Sequence, residues 1–209
     1  MSIRWIFFDI GYTLINEDAV WQRRFEEQAQ DDEAKRLGLT PEKIRHEVEQ
    51  NSISRKSQYR TFVQKYGLTF SAPYRHELEV PVPDAEAVLK VLSSKYHLGV
   101  IANQTAGLED RLRSWGLLPY FSLVVSSWDY QIMKPDVRLF EAALAKSGCP
   151  AQEAAMVGDR LDNDILPAKT LGMHTVRIRQ GFGMLQNPLS EMETPDDEIQ
   201  TLTELLHLF

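Results

Sequence analysis

The sequence predicts an α/β fold built on a doubly wound, Rossmann-like parallel sheet. Short apolar runs of strand length recur along the chain, and helical patterns separate several of them. The runs are Trp5–Phe8, Leu98–Ala102, Leu123–Ser126, Ala154–Val157 and Thr175–Ile178. Their near-continuous hydrophobicity is typical of strands that are buried on both faces, as in a parallel sheet. Strands that alternate with helices then imply right-handed crossover connections.

Two segments between the later strands predict crossover helices. In Asp84–Lys95 and Asp136–Ser147, the apolar side chains form a stripe at helical spacing. Pro135 fits the first position of the second helix, because a missing N–H costs nothing there. Beyond the last strand, Gly183–Asp197 has the composition of a loop, and Thr201–Phe209 has the pattern of a terminal helix.

A polar segment interrupts this alternation between the first and second strands. Residues 16–82 are rich in Glu, Gln, Arg and Lys, and their apolar residues recur at helical spacing. The predicted helices are Val20–Leu37, Pro41–Ile53 and Gln58–Tyr66. Pro81 and Pro83 indicate a stiff connection back to the sheet. We therefore expect a core of residues 1–15 and 83–209 with a helical domain inserted at 16–82.

The bulk composition excludes several classes of protein. A net charge of -7 over 209 residues argues against nucleic-acid binding, which needs concentrated positive charge. No apolar stretch reaches the roughly 20 residues that span a bilayer, and the first residues lack a signal-peptide pattern. The single cysteine, Cys149, excludes an internal disulfide. We expect a cytoplasmic protein without a nucleic-acid or membrane partner; its oligomeric state is left open.

Four polar clusters lie close to the ends of predicted strands. They are Asp9, Asn103-Gln104-Thr105, Lys134 and the acidic stretch Gly158–Asp164. Ligands of open α/β sheets bind outside the carboxyl ends of the strands. We therefore expect these four clusters to meet in space.

The charges of these clusters predict a site for a metal ion and a phosphate. A carboxylate at the end of an apolar strand, such as Asp9, is costly to bury without a cation or donors. Asp159, Asp162 and Asp164 would repel one another unless a cation offset them, and Mg²⁺ prefers carboxylate oxygens. Lys134 could neutralise a phosphoryl group and a carboxylate together. Taken singly, each cluster also fits a simpler role as a turn residue or a solvated side chain.

The motifs, taken together, resemble those of the haloacid dehalogenase superfamily in order and spacing. The matching residues are Asp9 with Thr13, Lys134-Pro135-Asp136, and Gly158-Asp159 followed by Asp164. The inserted helices resemble the alpha-helical cap of that superfamily. The resemblance extends over nearly the whole chain, which makes chance a poor explanation.

The resemblance implies a role for each motif residue. Asp9 would attack phosphorus and form an aspartyl-phosphate that water then hydrolyses. The implied Mg²⁺ ligands are Asp9, the backbone carbonyl of Gly11, Asp159 and Asp164. Lys134 would stabilise Asp9 and the transferring group, and Thr13 would support the Asp9 loop.

Two positions depart from the family pattern. Family phosphatases usually carry a second aspartate, a general acid and base, where this chain has Gly11; such groups contribute about 10²–10⁴-fold. They also end the second strand with a Ser or Thr that binds a phosphoryl oxygen, where this chain has Ala102. Asn103, Gln104 or Thr105 would then have to bind the substrate.

Other side chains could compensate for the missing aspartate. Tyr12 lies next to the gap and could lend its hydroxyl, and His46, Glu47 and His76 are ionisable residues of the predicted cap. If the glycine is only a lost acid–base group, Gly11→Asp should raise phosphatase activity.

The leading hypothesis is a Mg²⁺-dependent phosphatase of a small phosphorylated metabolite, with the cap closing over its site. One alternative is a catalytically weakened protein that binds Mg²⁺ and a phosphorylated ligand as a regulator or partner. A dehalogenase, which attacks carbon, is another. A phosphonate-cleaving enzyme would require a Schiff-base lysine, for which the candidates are Lys35, Lys43, Lys56 and Lys65.

Overall fold

Six parallel strands form a single sheet in the computed structural model, which describes residues 2–209. The strands of the chain are β1 (Trp5–Phe8), β2 (Ile15–Asn16), β3 (Val80–Pro81), β4 (His97–Ala102), β5 (Leu123–Ser126), β6 (Ala154–Gly158), β7 (His174–Ile178) and β8 (Asp197–Ile199). The order across the sheet is β5-β4-β1-β6-β7-β8, and β2 and β3 pair separately as an antiparallel ribbon. The predicted α/β fold with a parallel sheet is confirmed.

Helices flank the sheet and fill the segment between β2 and β3. They are α1 (Asp18–Gln30), α2 (Asp32–Arg36), α3 (Pro41–Ile53), α4 (Gln58–Tyr66), α5 (Ala85–Ser93), α6 (Leu108–Ser114), α7 (Ser127–Tyr130), α8 (Val137–Ser147), α9 (Leu166–Thr170) and α10 (Leu205–Leu208). A π-helical turn at Leu161–Ile165 leads directly into α9. Within residues 2–209, none of these helices has both the length and the apolar character needed to cross a membrane.

Two predictions about local structure were wrong, and one strand was not predicted. Val20–Leu37 is not one helix, because Asp31 is extended (ψ 142°) and its carboxylate caps α2, as short polar side chains favour. Pro135 does not begin α8, which starts at Val137 with Asp136 as its cap. The edge strand β8 was not predicted; it begins at Asp197, the last residue of the predicted loop.

The apolar side chains of β1 alternate between the two faces of the sheet. Ile6 and Phe8 pack on one face against α5 and α6, whereas Trp5 and Phe7 pack on the other against α8 and α9. All four side chains are buried. Two-sided burial of the central strand explains why it is a continuous apolar run.

The helices α1–α4 enclose an apolar cluster of their own. Trp21, Phe25 and Phe62 are at its centre, and Phe182, from the loop after β7, packs edge-on to Trp21 at 5.1 Å. Ser52 on α3 donates a hydrogen bond to the carbonyl of Phe182 (3.0 Å). The helical segment therefore packs against the loop at the carboxyl end of β7.

Candidate active site

The central strand β1 ends at Asp9, between the ends of β4 and β6. The register pairs Phe8 with Val100 on one side and with Val157 on the other, and the amide of Asp9 donates to the carbonyl of Val157 (2.9 Å). Because the three strands are parallel, their carboxyl ends place the following residues at one edge of the sheet. Asp9 thus lies where residues from several loops can reach it.

Lys134 crosses this edge and joins two of the predicted carboxylates. Its ammonium group donates to Asp9 Oδ1 (2.5 Å), Asp164 Oδ1 (2.6 Å) and the carbonyl of Ile101 (3.0 Å). Burial alone would lower the pKa of Lys134, but the carboxylates of Asp164 and Asp9 outweigh it and raise the pKa. The lysine therefore stays charged and holds the two carboxylates together.

Asp159 completes a compact group of three carboxylates. Asp9, Asp159 and Asp164 each offer an oxygen within 4.8 Å of the others. Burial, followed by the charges of Asp164 and Asp9, raises the pKa of Asp159 well above its usual value. Burial and Asp9 also raise the pKa of Asp164, to about 6, although Lys134 opposes them. Buried carboxylates that resist ionisation, as those of Asp159 and Asp164 do, fit a divalent cation with a preference for oxygen ligands, such as Mg²⁺.

Asp162 and Asp164 lie close together in the chain but have different contacts. Gly158 lets Asp164 approach the end of β6, since a Cβ there would lie 2.5 Å from the Asp164 Cβ. Asp164 Oδ2 also accepts from the amide of Arg160 (3.0 Å). Asp162 points elsewhere and binds the guanidinium of Arg160 (2.6 Å) and the amide of Gln186 (2.9 Å). The guanidinium of Arg160 therefore neutralises the charge of Asp162.

The residues after β4 are held mostly by other protein groups. The Asn103 amide donates to the carbonyl of Lys134 (2.9 Å) and accepts from its N–H (2.7 Å). Gln104 Oε1 accepts from Arg111 (2.7 Å), and the Thr105 hydroxyl bonds His76 (2.9 Å). Asn103 thus fastens the loop that carries Lys134, which is a positioning contact. Asn103, Gln104 and Thr105 also line a pocket of about 580 Å³ that adjoins the site.

The space beside Gly11 is filled by the side chain of Glu17, which was not among the predicted site residues. A Cβ at Gly11 would lie well inside van der Waals distance of Glu17 Oε1 and 3.0 Å from Glu17 Cδ. Glu17 is buried, and the indole N–H of Trp21 donates to its Oε2 (2.9 Å). Burial raises the pKa of Glu17 to about 7, although hydrogen bonds from Tyr74 and Trp21 oppose the shift.

Glu17 lies between two cavities. A small polar cavity of about 150 Å³ is lined by the carboxylate group, Lys134 and Glu17. A larger pocket of about 580 Å³ is lined by Glu17 together with Tyr74, His76, Trp128 and Met133. Within residues 2–209, no lysine or arginine lines the larger pocket. Glu17, Asn103 and Gln104 are common to the linings of both cavities.

Tyr12, predicted next to the gap, and Thr13, predicted to support the Asp9 loop, both lie between β1 and β2. The Tyr12 hydroxyl donates to Asp18 (3.1 Å) and is therefore not free to lend a proton. The hydroxyl of Thr13 is buried and has no hydrogen-bond partner within residues 2–209.

The candidates from the helical segment are dispersed. His46 is exposed on α3, and Glu47 binds Lys65 (2.7 Å) and Tyr66 (3.0 Å). His76 alone among these three candidates lines the larger pocket. Glu17 was missed because an acidic residue just before a helix is usual and gives no separate signal.

Comparison with known proteins identifies the family. A sequence profile of haloacid dehalogenase-like hydrolases matches residues 6–178. The chain belongs to this family. This match confirms the family that the motifs predicted. The α/β fold of this haloacid dehalogenase-like hydrolase is the fold expected for that family.

Relatives of this hydrolase include named phosphatases. It is 35% identical over 137 residues, 65% of the chain, to a glyceraldehyde 3-phosphate phosphatase of Methanocaldococcus jannaschii, and 33% identical over 135 residues, 63% of the chain, to a phosphoserine phosphatase of Thermus thermophilus. The matches span 56% and 53% of those proteins, little more than half of their length. A solved phosphatase of the family from Thermococcus onnurineus shares 25% identity with a TM-score of 0.68, over 99% of this chain and 97% of that one.

Proposed function

We propose that this hydrolase is a phosphatase that cleaves a small phosphorylated metabolite through an aspartyl-phosphate on Asp9. The observation that carries the proposal is the contact of Lys134 with both Asp9 and Asp164 inside a group of three carboxylates. An anionic nucleophile and an anionic substrate repel each other unless positive charge lies between them. The named phosphatases among the relatives support the same class of reaction.

We propose Mg²⁺ as the cofactor. Asp9, Asp159 and Asp164 would hold it through their side chains, and Gly11 through its carbonyl. Bound Mg²⁺ would supply positive charge that offsets the carboxylates and the phosphoryl oxygens. The raised pKa values of Asp159 and Asp164 support this assignment, because both carboxylates lack sufficient compensation from Lys134 alone.

The chain's own residues would carry the steps. Asp9 would attack phosphorus from the end of β1 while Lys134 keeps its carboxylate oriented. The bond from phosphorus to the ester oxygen would break, and the alcohol would leave into the larger pocket. Water would then attack the phosphorus of the aspartyl-phosphate, releasing phosphate and the Asp9 carboxylate.

We propose that residues 16–82 act as a cap over a core made of residues 1–15 and 83–209. The apolar cluster that α1–α4 enclose, which Tyr12 and Phe182 join from the core, supports a distinct unit, and the β2–β3 ribbon forms both of its connections. Gln58 of α4 lines the small cavity, and Tyr74 and His76 line the larger pocket. The cap would therefore contribute to substrate selection.

The lining of the larger pocket favours an uncharged leaving group. Its walls are mainly apolar, with Trp128 and Met133 among them, and within residues 2–209 no lysine or arginine lines it that could pair with a second anion. Glyceraldehyde is such an uncharged group, whereas phosphoserine carries further charges. We therefore propose phosphate monoesters of uncharged alcohols as the substrate class.

Hydrolysis of p-nitrophenyl phosphate with and without Mg²⁺ tests the phosphatase proposal. Wild type should turn over the ester only with Mg²⁺, and Asp9→Asn, which has nearly the same shape, should be inactive. Glu109→Gln on the exposed face of α6 is the control for purification and handling. Wild type that is no faster than Asp9→Asn would exclude the phosphatase.

One observation favours a second candidate, a weakened protein that binds Mg²⁺ and a phosphorylated ligand. Ala102 is fully buried and offers no hydroxyl, and Asn103 is bonded to Lys134. Mg²⁺-dependent thermal stabilisation by phosphate esters without turnover would support it. A phosphonate-cleaving enzyme is tested by borohydride trapping with a phosphonoaldehyde, for which Lys56 is the candidate that lines a cavity shared with Lys134.

A further inference from the structure

The Glu17 side chain occupies the space in which an aspartate at position 11 would stand. Glu17 Oε1 lies as close to the Gly11 Cβ position as a carboxylate oxygen lies to Cβ within an aspartate itself. The chain turns back after Gly11, with the amide of Tyr12 bonded to the carbonyl of Ile15 (2.8 Å), and so brings Glu17 beside the glycine. We infer that Glu17 is the general acid and base of this enzyme.

The two oxygens of Glu17 have different surroundings. Oε2 accepts from the Trp21 indole N–H (2.9 Å), which fixes the carboxylate plane, while Oε1 is the atom nearest to Gly11. Glu17 precedes α1, but its side chain does not cap that helix and turns inward instead. A buried carboxylate that Trp21 fixes through Oε2, with Oε1 beside Gly11, has the arrangement that proton transfer requires.

Glu17 also lies on the border between the cavity of the nucleophile and the larger pocket that we propose for the leaving group. It lines both the small cavity that contains Asp9 and the larger pocket. His76 lines only the larger pocket and is bonded to Glu79 (3.1 Å) and Thr105 (2.9 Å). Among the ionisable side chains at the gap, Glu17 is therefore the one placed between nucleophile and leaving group.

The inference rests on the proposed phosphatase function and adds its proton transfers. Protonated Glu17 gives its proton to the ester oxygen as the bond between that oxygen and phosphorus breaks, so that the neutral alcohol leaves. The resulting carboxylate then takes a proton from the water that attacks the aspartyl-phosphate. Phosphate and the free Asp9 carboxylate are released, and Glu17 is protonated again for the next cycle.

The test compares Glu17→Gln with wild type on two esters of nearly equal shape, phenyl phosphate and p-nitrophenyl phosphate. Phenolate needs a proton in order to leave and p-nitrophenolate does not. The variant should lose about 10²–10⁴-fold in kcat/KM for phenyl phosphate and less than about tenfold for p-nitrophenyl phosphate. Because hydrolysis of the aspartyl-phosphate also slows, p-nitrophenolate should appear in a burst, and intact-mass analysis should show the phosphorylated enzyme.

Glu79→Gln is the matched control, because Glu79 is a buried carboxylate that is bonded to Tyr74 and His76 and lines neither the small cavity nor the larger pocket. It should affect both esters equally and give no burst. If Glu17→Gln does not fold, Glu17→Asp, which withdraws the carboxylate from Gly11, serves in the same comparison. An equal loss on both esters, without a burst, overturns the role of Glu17 while the phosphatase stands. A wild type as inactive as Asp9→Asn overturns both.

A double-mutant cycle tests the geometry without activity. Gly11→Asp should lower Tm in the wild-type background, because its side chain collides with Glu17. The same change in a Glu17→Ala background should lower Tm much less, since the space is then free. Equal destabilisation in both backgrounds contradicts the proposed overlap.

Discussion

Replacement of Glu17 by glutamine should stabilise the folded protein at alkaline pH. The glutamine keeps the shape of the side chain, and its amide oxygen can still accept the hydrogen bond from Trp21. What it removes is a buried negative charge. The gain in the free energy of unfolding therefore measures how much the buried, ionised carboxylate beside Gly11 destabilises the folded protein.

The size of the effect follows from the pKa of Glu17, which burial raises from 4.5 to about 7. Between these two values the folded state binds more protons than the unfolded state, so wild-type stability falls as pH rises through this window. The full shift corresponds to about 3 kcal/mol, most of which is lost between pH 5 and pH 8. Glu17→Gln lacks this loss, so its advantage over wild type should grow by that amount.

Urea unfolding in EDTA at pH 5 and pH 8 measures the difference, and the absence of Mg²⁺ keeps metal binding out of the result. In thermal unfolding, the same energy is a relative rise of about 5–10 °C in Tm for a chain of this size. Glu109→Gln, on the exposed face of α6, should show no such change between the two pH values. A stability difference between Glu17→Gln and wild type that is constant with pH would refute the reasoning.

Three further predictions concern the neighbours of the site. Mg²⁺ should raise Tm more at pH 8 than at pH 5, because protons compete with the metal for Asp164 and Asp159 at low pH. The pKa of Asp164 is raised to about 6, and that of Asp159 is also raised. The variant Asp159→Asn should abolish the rise in Tm. Asn103→Ala removes both hydrogen bonds to the Lys134 backbone, so urea unfolding should show a loss of about 2 kcal/mol, and kinetics a fall in kcat larger than any rise in KM. Gln186→Ala leaves buried groups such as the Leu161 amide unpaired and should cost about 2–4 kcal/mol in the same assay, while Gln186→Glu, which sets a charge against Asp162, should cost more.

The sheet could be predicted because burial on both faces imposes a pattern on the sequence. Trp5–Phe8 and Leu123–Ser126 have the bounds that their apolar runs predict, and so have the helices Pro41–Ile53 and Gln58–Tyr66. The edge strand β8 could not be found, since it is three residues long and begins with two acidic residues. The break at Asp31 was equally hidden, because an aspartate inside a helical pattern and one that caps a new helix look alike in sequence.

The convergence of the site could be predicted for a similar reason. The ends of parallel strands are at one edge, so the relative positions of Asp9 and the β6 loop follow from topology, and the structure places Lys134 between them. The direction of individual side chains does not follow. Asn103 could equally have faced the cavity, and only the approach of the Lys134 backbone determines that its amide is used there. The same holds for Asp162, which binds Arg160 instead of joining the other carboxylates.

The gap at Gly11 shows that a missing motif residue does not mean that no carboxylate lies at that place. In sequence, the glycine indicates only that a carboxylate is absent; in the structure, any side chain there would collide with Glu17. An aspartate at this position would displace Glu17 and leave the indole N–H of Trp21 buried without its acceptor. Gly11→Asp alone should therefore lower activity, contrary to the expectation from the sequence, because the two positions are coupled through one volume. Glycine at position 11 is therefore needed for the Glu17 carboxylate to fit beside it.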